Sequence, residues 1–261
     1  MLNLAENKLH ILLVNDDGID CPGFRLLTEE LGKRHRVTVC APDGNRSAVG
    51  HGITLQDSLT VHRAELPGAA AAYGISGTPG DCVRLGLGAL IDEPVDLVIS
   101  GPNVGLNVGM DLHYSGTVSA ALEAAMQGVK AIAVSTFPGA EDRETVRTFL
   151  HLLEQIDLET DVRHALNINL PALPREEIKG VKWVPQGLFF PWIDRYERIE
   201  PSEGEAPQEG GYRYQVKGTI CPDREDNDSD VTAVLHGYAA LTPITFSFTD
   251  DRGFSEKEFT L

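Results

Sequence analysis

The sequence predicts an α/β fold of the doubly wound type, a mostly parallel sheet with helices on both faces, followed by a C-terminal arm or hairpin region. Two observations carry this. Short runs that are apolar at every position recur along the chain, the pattern of strands buried on both faces. Segments with helical apolar spacing lie between them, so strand and helix alternate. Ligands of such sheets bind beyond the carboxyl ends of the strands, which makes the strand-to-helix loops the place to look for function.

The elements follow in order. Residues 9–14 (LHILLV) read as the first strand, ended by Asn15-Asp16-Asp17-Gly18, and from Pro22 the helical spacing of FRLLTEELGKR runs to near Gly32. A second strand, 37–40, enters the polar loop APDGNRSAVGHGIT (41–54). Ser76-Gly77-Thr78-Pro79 ahead of Asp81 is a capped helix start. A strand over 96–100 (DLVIS) leads into the Gly- and Asn-rich GPNVGLNVGMDLHYSG and then a small-residue helix over 117–127. A further strand is expected over 131–135 and a helix over 141–155. After Asn169-Leu170-Pro171 the character changes: Trp183, Pro185, Phe189, Phe190, Pro191 and Trp192 cluster, and 197–230 is acidic and rich in Gly and Pro. We expect an α/β domain over 1–180 that carries the site, and an arm with a closing segment over 181–261 engaged in oligomerisation.

Composition narrows the function. With 22 Lys+Arg against 39 Asp+Glu the formal charge is −17, which repels polyanions and argues against long nucleic acid as a partner. A small phosphate ester is still within reach if a metal ion or backbone amides reverse the field locally. Cys21, Cys40, Cys82 and Cys221 form no CxxC pair, so reduced thiols are expected rather than a zinc site or a disulfide framework. The first residues lack an apolar signal core, and no run approaches the roughly 18 apolar residues of a membrane span. A cytoplasmic protein with no membrane partner is the expectation.

Three loops carry groups suited to chemistry. Asp16 and Asp17 sit where the first strand ends, and two adjacent carboxylates in a folded site repel each other unless a cation lies between them or one is protonated. Oxygen ligands with Asn and Ser nearby suit Mg2+ or Mn2+ better than zinc. The competing reading of an isolated Asp-Asp-Gly is an Asx turn capping the next helix. Neither GxGxxG nor GxxxxGK[ST] occupies this loop, which excludes the usual dinucleotide and triphosphate signatures. Adjacent carboxylates point in divergent directions, so metal ligation with attack by water is preferred over an aspartyl-phosphate.

The second loop offers Asp43, Asn45, Arg46 and Ser47: a hydroxyl for the metal shell and a guanidinium for phosphate, or simply a polar turn. His51, between Gly50 and Gly52, is read as a surface histidine with a possible substrate contact. The third loop holds Asn103 and Asn107 among glycines, so amide oxygens can reach a metal or a substrate. Ser115-Gly116-Thr117 then opens a helix, and free amides at a helix N-terminus make an anion site.

In combination NDDGI (15–19), APDGNRSAVGHGIT (41–54), SGTPGDCV (76–83), SGPNVGLNVG (100–109), YSGTVSAALEA (114–124) and DSDVTAVLHGYAALTP (228–243) resemble the SurE family, the survival-protein nucleotidases. The resemblance implies a Rossmann-like domain with a C-terminal arm exchanged between subunits, in a homodimer or homotetramer. It implies a phosphomonoesterase that splits nucleoside 5'(3')-monophosphates into nucleoside and phosphate, with one divalent ion, Mg2+ or Mn2+, per subunit. The metal ligands carried over are Asp16, Asp17, Ser47 and Asn103, one of the aspartates also orienting or deprotonating the water. Asn45, Ser115, Gly116 and Thr117 are carried over as phosphate contacts outside the metal shell, and Asn107 is added as a substrate contact. Pro102 stands where the family commonly has a small hydrophobic residue, and Ser119 where it has Gly; the arm, about 185–225, matches poorly. Two rival readings stand beside this one: a non-catalytic nucleotide sensor on the same fold, and a metal-dependent glycosyltransferase using carboxylates at a strand end.

Overall fold

Every residue of β1 (His10–Val14) is buried, because the strand lies inside a sheet covered on both faces. The computed structural model describes residues 6–200, 212–220 and 228–249. After β1 come α1 (Pro22–Gly32), β2 (Arg36–Pro42), β3 (Val61–Arg63), β4 (Ala71–Ile75) and α2 (Pro79–Leu85). The second half of the body holds β5 (Leu97–Val104), α3 (Gly116–Met126), β6 (Ala131–Thr136), α4 (Asp142–Leu153) and β7 (Ala165–Leu170). The chain ends with β8 (Val181–Trp183), β9 (Trp192–Ile199), β10 (Arg213–Ile220), α5 (Asp230–Leu235) and β11 (Ala239–Ile244).

The main sheet runs β3-β4-β2-β1-β5-β6-β7-β11-β8. Its six central strands, β4 to β7 in that order, are all parallel. The chain steps outward from β1 through β2 to β4, then returns to the other side of β1 with β5, β6 and β7. This is the Rossmann order, and its reversal point, where ligands bind, lies between β1 and β5. Alternation along β1 splits the core: Ile11 and Leu13 pack with Phe24 and Leu27 of α1 and Val146 and Phe149 of α4. Leu12 and Val14 face Cys82 and Val83 of α2 and Val118 and Ala121 of α3. The predicted α/β class and its helices on both faces are what the chain forms.

The capped start of α2 is also present: the Thr78 hydroxyl accepts from the Asp81 N–H, and the Asp81 carboxylate accepts from the Thr78 N–H. Strands β4 and β7 were not expected. The first is small and mixed (AAYGI), and the second (ALNINL) interrupts its apolar run with Asn167 and Asn169, both fully buried.

The C-terminal region divides in two. Strand β11 pairs antiparallel with β7 and carries β8 on its other edge, while α5 joins Val184 and Phe189 in an apolar cluster with Leu106 and Val108 of the third loop. These parts are built into the body. What stands off is the antiparallel hairpin β9–β10, a separate two-stranded sheet with Tyr196, Tyr212, Tyr214 and Val216 exposed. Of the aromatic segment expected in an interface, Trp183 is half exposed and Phe189 is packed inward. Cys221, most of the acidic stretch and the side chain of Trp192 lie outside the described residues. No described helix is long and apolar enough to cross a membrane.

Candidate active site

The first loop forms a turn, but not through its aspartates. Its turn is closed by Asn15, whose Nδ2 donates to the Gly18 carbonyl at 2.7 Å and whose Oδ1 accepts the Gly18 N–H at 3.2 Å. Gly18 sits at φ +101°, and a Cβ there would meet the Gly44 backbone carbonyl carbon at 3.2 Å, so glycine lets this loop lie directly on the second one. The start of α1, at Cys21, has no side-chain cap. Neither Asp16 nor Asp17 is spent on closing this turn or on capping α1.

Asp16 is 3% exposed. Its Oδ1 accepts from the Thr117 hydroxyl at 2.7 Å and its Oδ2 from the Thr117 N–H at 3.2 Å, so the N-terminus of α3 already faces a carboxylate. Burial pushes the Asp16 carboxyl up to about 6 against the pull of the Thr117 hydroxyl bond, and the neighbouring Asp17 charge adds to the rise. Asp17 is half-buried, and burial raises its carboxyl too, partly offset by the Val104 N–H. Its bonds are long, 3.3 Å from Val104 N–H and 3.4 Å from Asn45 Nδ2. Two adjacent carboxyls both held above their usual range mark a place short of positive charge. Among the described residues no cluster of three or more His, Cys, Asp and Glu forms, so further ligands for a cation have to be neutral oxygens. That donor set fits a hard divalent ion.

The other expected residues divide into those at the carboxylates and those beneath them. Asn45 joins the pair through Asp17, and its Oδ1 accepts the Ser47 N–H at 3.0 Å, which sets the loop ahead of Ala48, a non-glycine residue at φ 58°. The loop is tied to the first by the Arg46 N–H, which donates to the Asp16 carbonyl at 2.7 Å. Asn103 lies at the end of β5, next to the residue that binds Asp17, and gives its Nδ2 to the Gly105 carbonyl at 2.7 Å, leaving its amide oxygen as the available ligand atom. Gly116 has to be glycine-small: a Cβ would sit 3.0 Å from that of Asp16.

Asn107, expected at the substrate, is instead bound into a buried network. Its Nδ2 donates to Ser135 Oγ, its N–H to Asn169 Oδ1, and its carbonyl accepts from Asn167 and Asn169. This anchors the third loop on β6 and β7. Arg46 is likewise committed, to Asp43 and to the carbonyls of Ser76 and Gly77. The Ser115 hydroxyl caps α3 by accepting from the Val118 N–H.

Two buried acids, Glu123 and Asp230, went unnoticed in the sequence, and a third, Asp81, does more than the expected cap. Glu123, 2% exposed on α3, pairs with Arg84 at 3.1 Å and meets His51 Nε2 at 3.0 Å, so His51 is exposed, as expected, and also touches a buried acid. A lone acid in the apolar helix GTVSAALEAAM is the signal that could have revealed it. Asp81 also binds Thr54; burial pushes its carboxyl up, but the bonds from Thr54 and Thr78 outweigh this and hold it below its usual range. Asp230, fully buried, accepts from the N–H groups of Gly109 and Gly187 and pins the third loop to the C-terminal segment.

Comparison with known proteins bears directly on this arrangement. The family model described as "Survival protein SurE" matches residues 11–189. The chain belongs to the SurE family. A protein of Thermosipho africanus named 5'-nucleotidase SurE is 40% identical over 247 residues, 93% of this chain and 94% of that one. One of Clostridium botulinum with the same name is 39% identical over 96% of this chain and 98% of its own. The crystal structure of the SurE protein from Aquifex aeolicus superimposes with a TM-score of 0.79 at 34% identity, covering 93% of this chain and 96% of that one. The SurE family model ends just before the hairpin, so the β1–β5 loops lie inside the match and β9–β10 outside it.

Proposed function

We propose that this chain is a metal-dependent phosphomonoesterase that hydrolyses nucleoside 5'(3')-monophosphates to nucleoside and phosphate. The observation that carries the reading is the pair Asp16 and Asp17 at the β1–β5 reversal, both carboxyls raised and neither spent on the first loop's turn or the cap of α1. The relatives named 5'-nucleotidase SurE support the same activity. Asp16, Asp17, Ser47 and Asn103 would hold one Mg2+ or Mn2+ ion. When bound, such an ion polarises a phosphate oxygen and lowers the pKa of a water.

The chain's own residues do the rest. Thr117 fixes the orientation of Asp16 from two donors. Asp17, with only long bonds, has lone pairs to spare for orienting the attacking water and taking its proton. In the first turn of α3 the Thr117 N–H is given to Asp16 and the Val118 N–H to Ser115, which leaves the Gly116 N–H and the Ser115 hydroxyl proton for a phosphate oxygen. The Asn45 amide lies beside Asp17 to take another.

The assembly we assign is a homodimer or homotetramer joined through β9–β10, because a two-stranded hairpin with exposed tyrosines is marginal alone and gains by pairing with a second copy. Light scattering should then give at least twice the mass of one chain. A cytoplasmic location is in keeping with the free thiols of Cys40 and Cys82, the first pushed up to about 12 by burial. Phosphate release from a nucleoside monophosphate panel with Mg2+, Mn2+ or EDTA tests the activity.

A further inference from the structure

Just ahead of the first turn of α3 in the chain stands an aromatic pair that the hydrolytic reading does not use. Tyr114 and Phe190 stack with ring centres 6.3 Å apart and planes at 22°. Both stay open to water, Tyr114 by 56% and Phe190 by 39%. Their backbones are rigidly mounted. The Tyr114 carbonyl accepts the Gly50 N–H at 3.0 Å, the Phe189 carbonyl accepts the Met110 N–H at 3.0 Å, and Gln186 Nε2 donates to the Gly109 carbonyl at 2.8 Å. Asp230 ties Gly109 to Gly187 underneath. An aromatic surface held this firmly against water costs free energy unless something covers it.

Position says what covers it. Tyr114 immediately precedes Ser115 and Gly116, and Gly116 lies against Asp16. Consecutive α-carbons are about 3.8 Å apart, so the Tyr114 α-carbon is within about 7.6 Å of that of Gly116. The ring therefore starts about one ribose away from a phosphate held at Gly116.

We propose that the exposed ring of Tyr114, backed by Phe190, is the stacking platform for the base of the nucleoside monophosphate. The inference rests on the hydrolytic reading only for where the phosphate sits. A flat aromatic face accepts every base, since each has a π surface, and grips purines more than pyrimidines through larger overlap. It would make the enzyme broad in base while still preferring nucleotides to phosphates that lack one.

The test compares AMP with ribose 5-phosphate, which lacks the base, on the metal-loaded protein, measuring both kcat/KM and equilibrium binding by calorimetry. Tyr114→Ala should cut the AMP to ribose 5-phosphate ratio about tenfold, mainly through KM for AMP, and Tyr114→Phe should restore it. The loss should be larger for AMP than for CMP. A Tyr114→Ala variant that weakens both phosphates equally, or neither, overturns the platform, as does a change in molecular mass with the AMP preference intact. A parent that binds AMP more tightly than ribose 5-phosphate through Tyr114 but releases no phosphate overturns the hydrolytic reading instead, and one that binds both equally overturns the platform.

Discussion

The two halves of the site are built differently although their carboxylates are neighbours in sequence. Asp16 is buried and held at 2.7 and 3.2 Å by one residue of α3, whereas Asp17 is half-buried and held only by bonds of 3.3 and 3.4 Å from the end of β5 and from the second loop. The first half is the more tightly held. The second has the weaker bonds. In the proposed reaction the tightly held side would set the geometry and the loosely held one would accommodate the changing charge.

The largest effect is expected at the loosely held side. Asp17→Asn should lower phosphate release more than about 100-fold, beyond what loss of an outer partner of a metal ligand usually costs. Thermal melting of the metal-free variant should show no loss, since only long bonds are disturbed and one of two close charges is removed. A marked fall in its melting temperature would mean that Asp17 is structural.

Thr117→Val attacks the tightly held side. Sequence alone places Thr117 on the phosphate and outside the metal shell, but its contact with both Asp16 oxygens predicts that metal affinity falls along with activity, by about 10 to 100-fold. Metal titration by calorimetry decides. Unchanged affinity would show that the Asp16 contact does no positioning.

Acid should separate the halves further. The folded Asp16 carboxyl titrates at about 6 against an ordinary 3.8, so the stability it contributes is complete below about 3.8 and is lost as pH rises through 6. The cation has the opposite trend, because it must displace the proton. Metal affinity should therefore fall about tenfold from pH 7 to pH 5, and this dependence should weaken in Asp16→Asn. A flat affinity over that range would contradict the raised carboxyl.

The smallest effect on the body comes from its least attached part. Replacing 193–219 by a short Gly/Ser linker leaves the paired ends Trp192 and Ile220 to close the gap. Melting should change little while light scattering moves towards the monomer. A large loss of stability would mean that the hairpin completes the core.

Much of this was legible beforehand, for physical reasons. Strands β1, β2, β5 and β6 announce themselves because burial on both faces demands continuous apolar runs, and the polar loops at their carboxyl ends stand out against them. Strand β7 did not, because Asn167 and Asn169 read as polar until their partner, the Asn107 carbonyl, is seen. The Asp16 and Asp17 pair could be read from its place in the chain. What each does could not, since Thr117 lies 101 residues away and reaches Asp16 only through the fold. Asp230 and Glu123 were hidden for the same reason: a buried acid is identified by its donors, and those donors are distant in sequence.

Release of phosphate from AMP, followed for the parent and Asp17→Asn with Mn2+, Mg2+ and EDTA, tests the central claim most directly. We expect the parent to release phosphate with either ion and stop in EDTA, and Asp17→Asn to stay near background throughout. Full release in EDTA, or undiminished release by Asp17→Asn, would contradict a metal centre at the Asp16 and Asp17 pair.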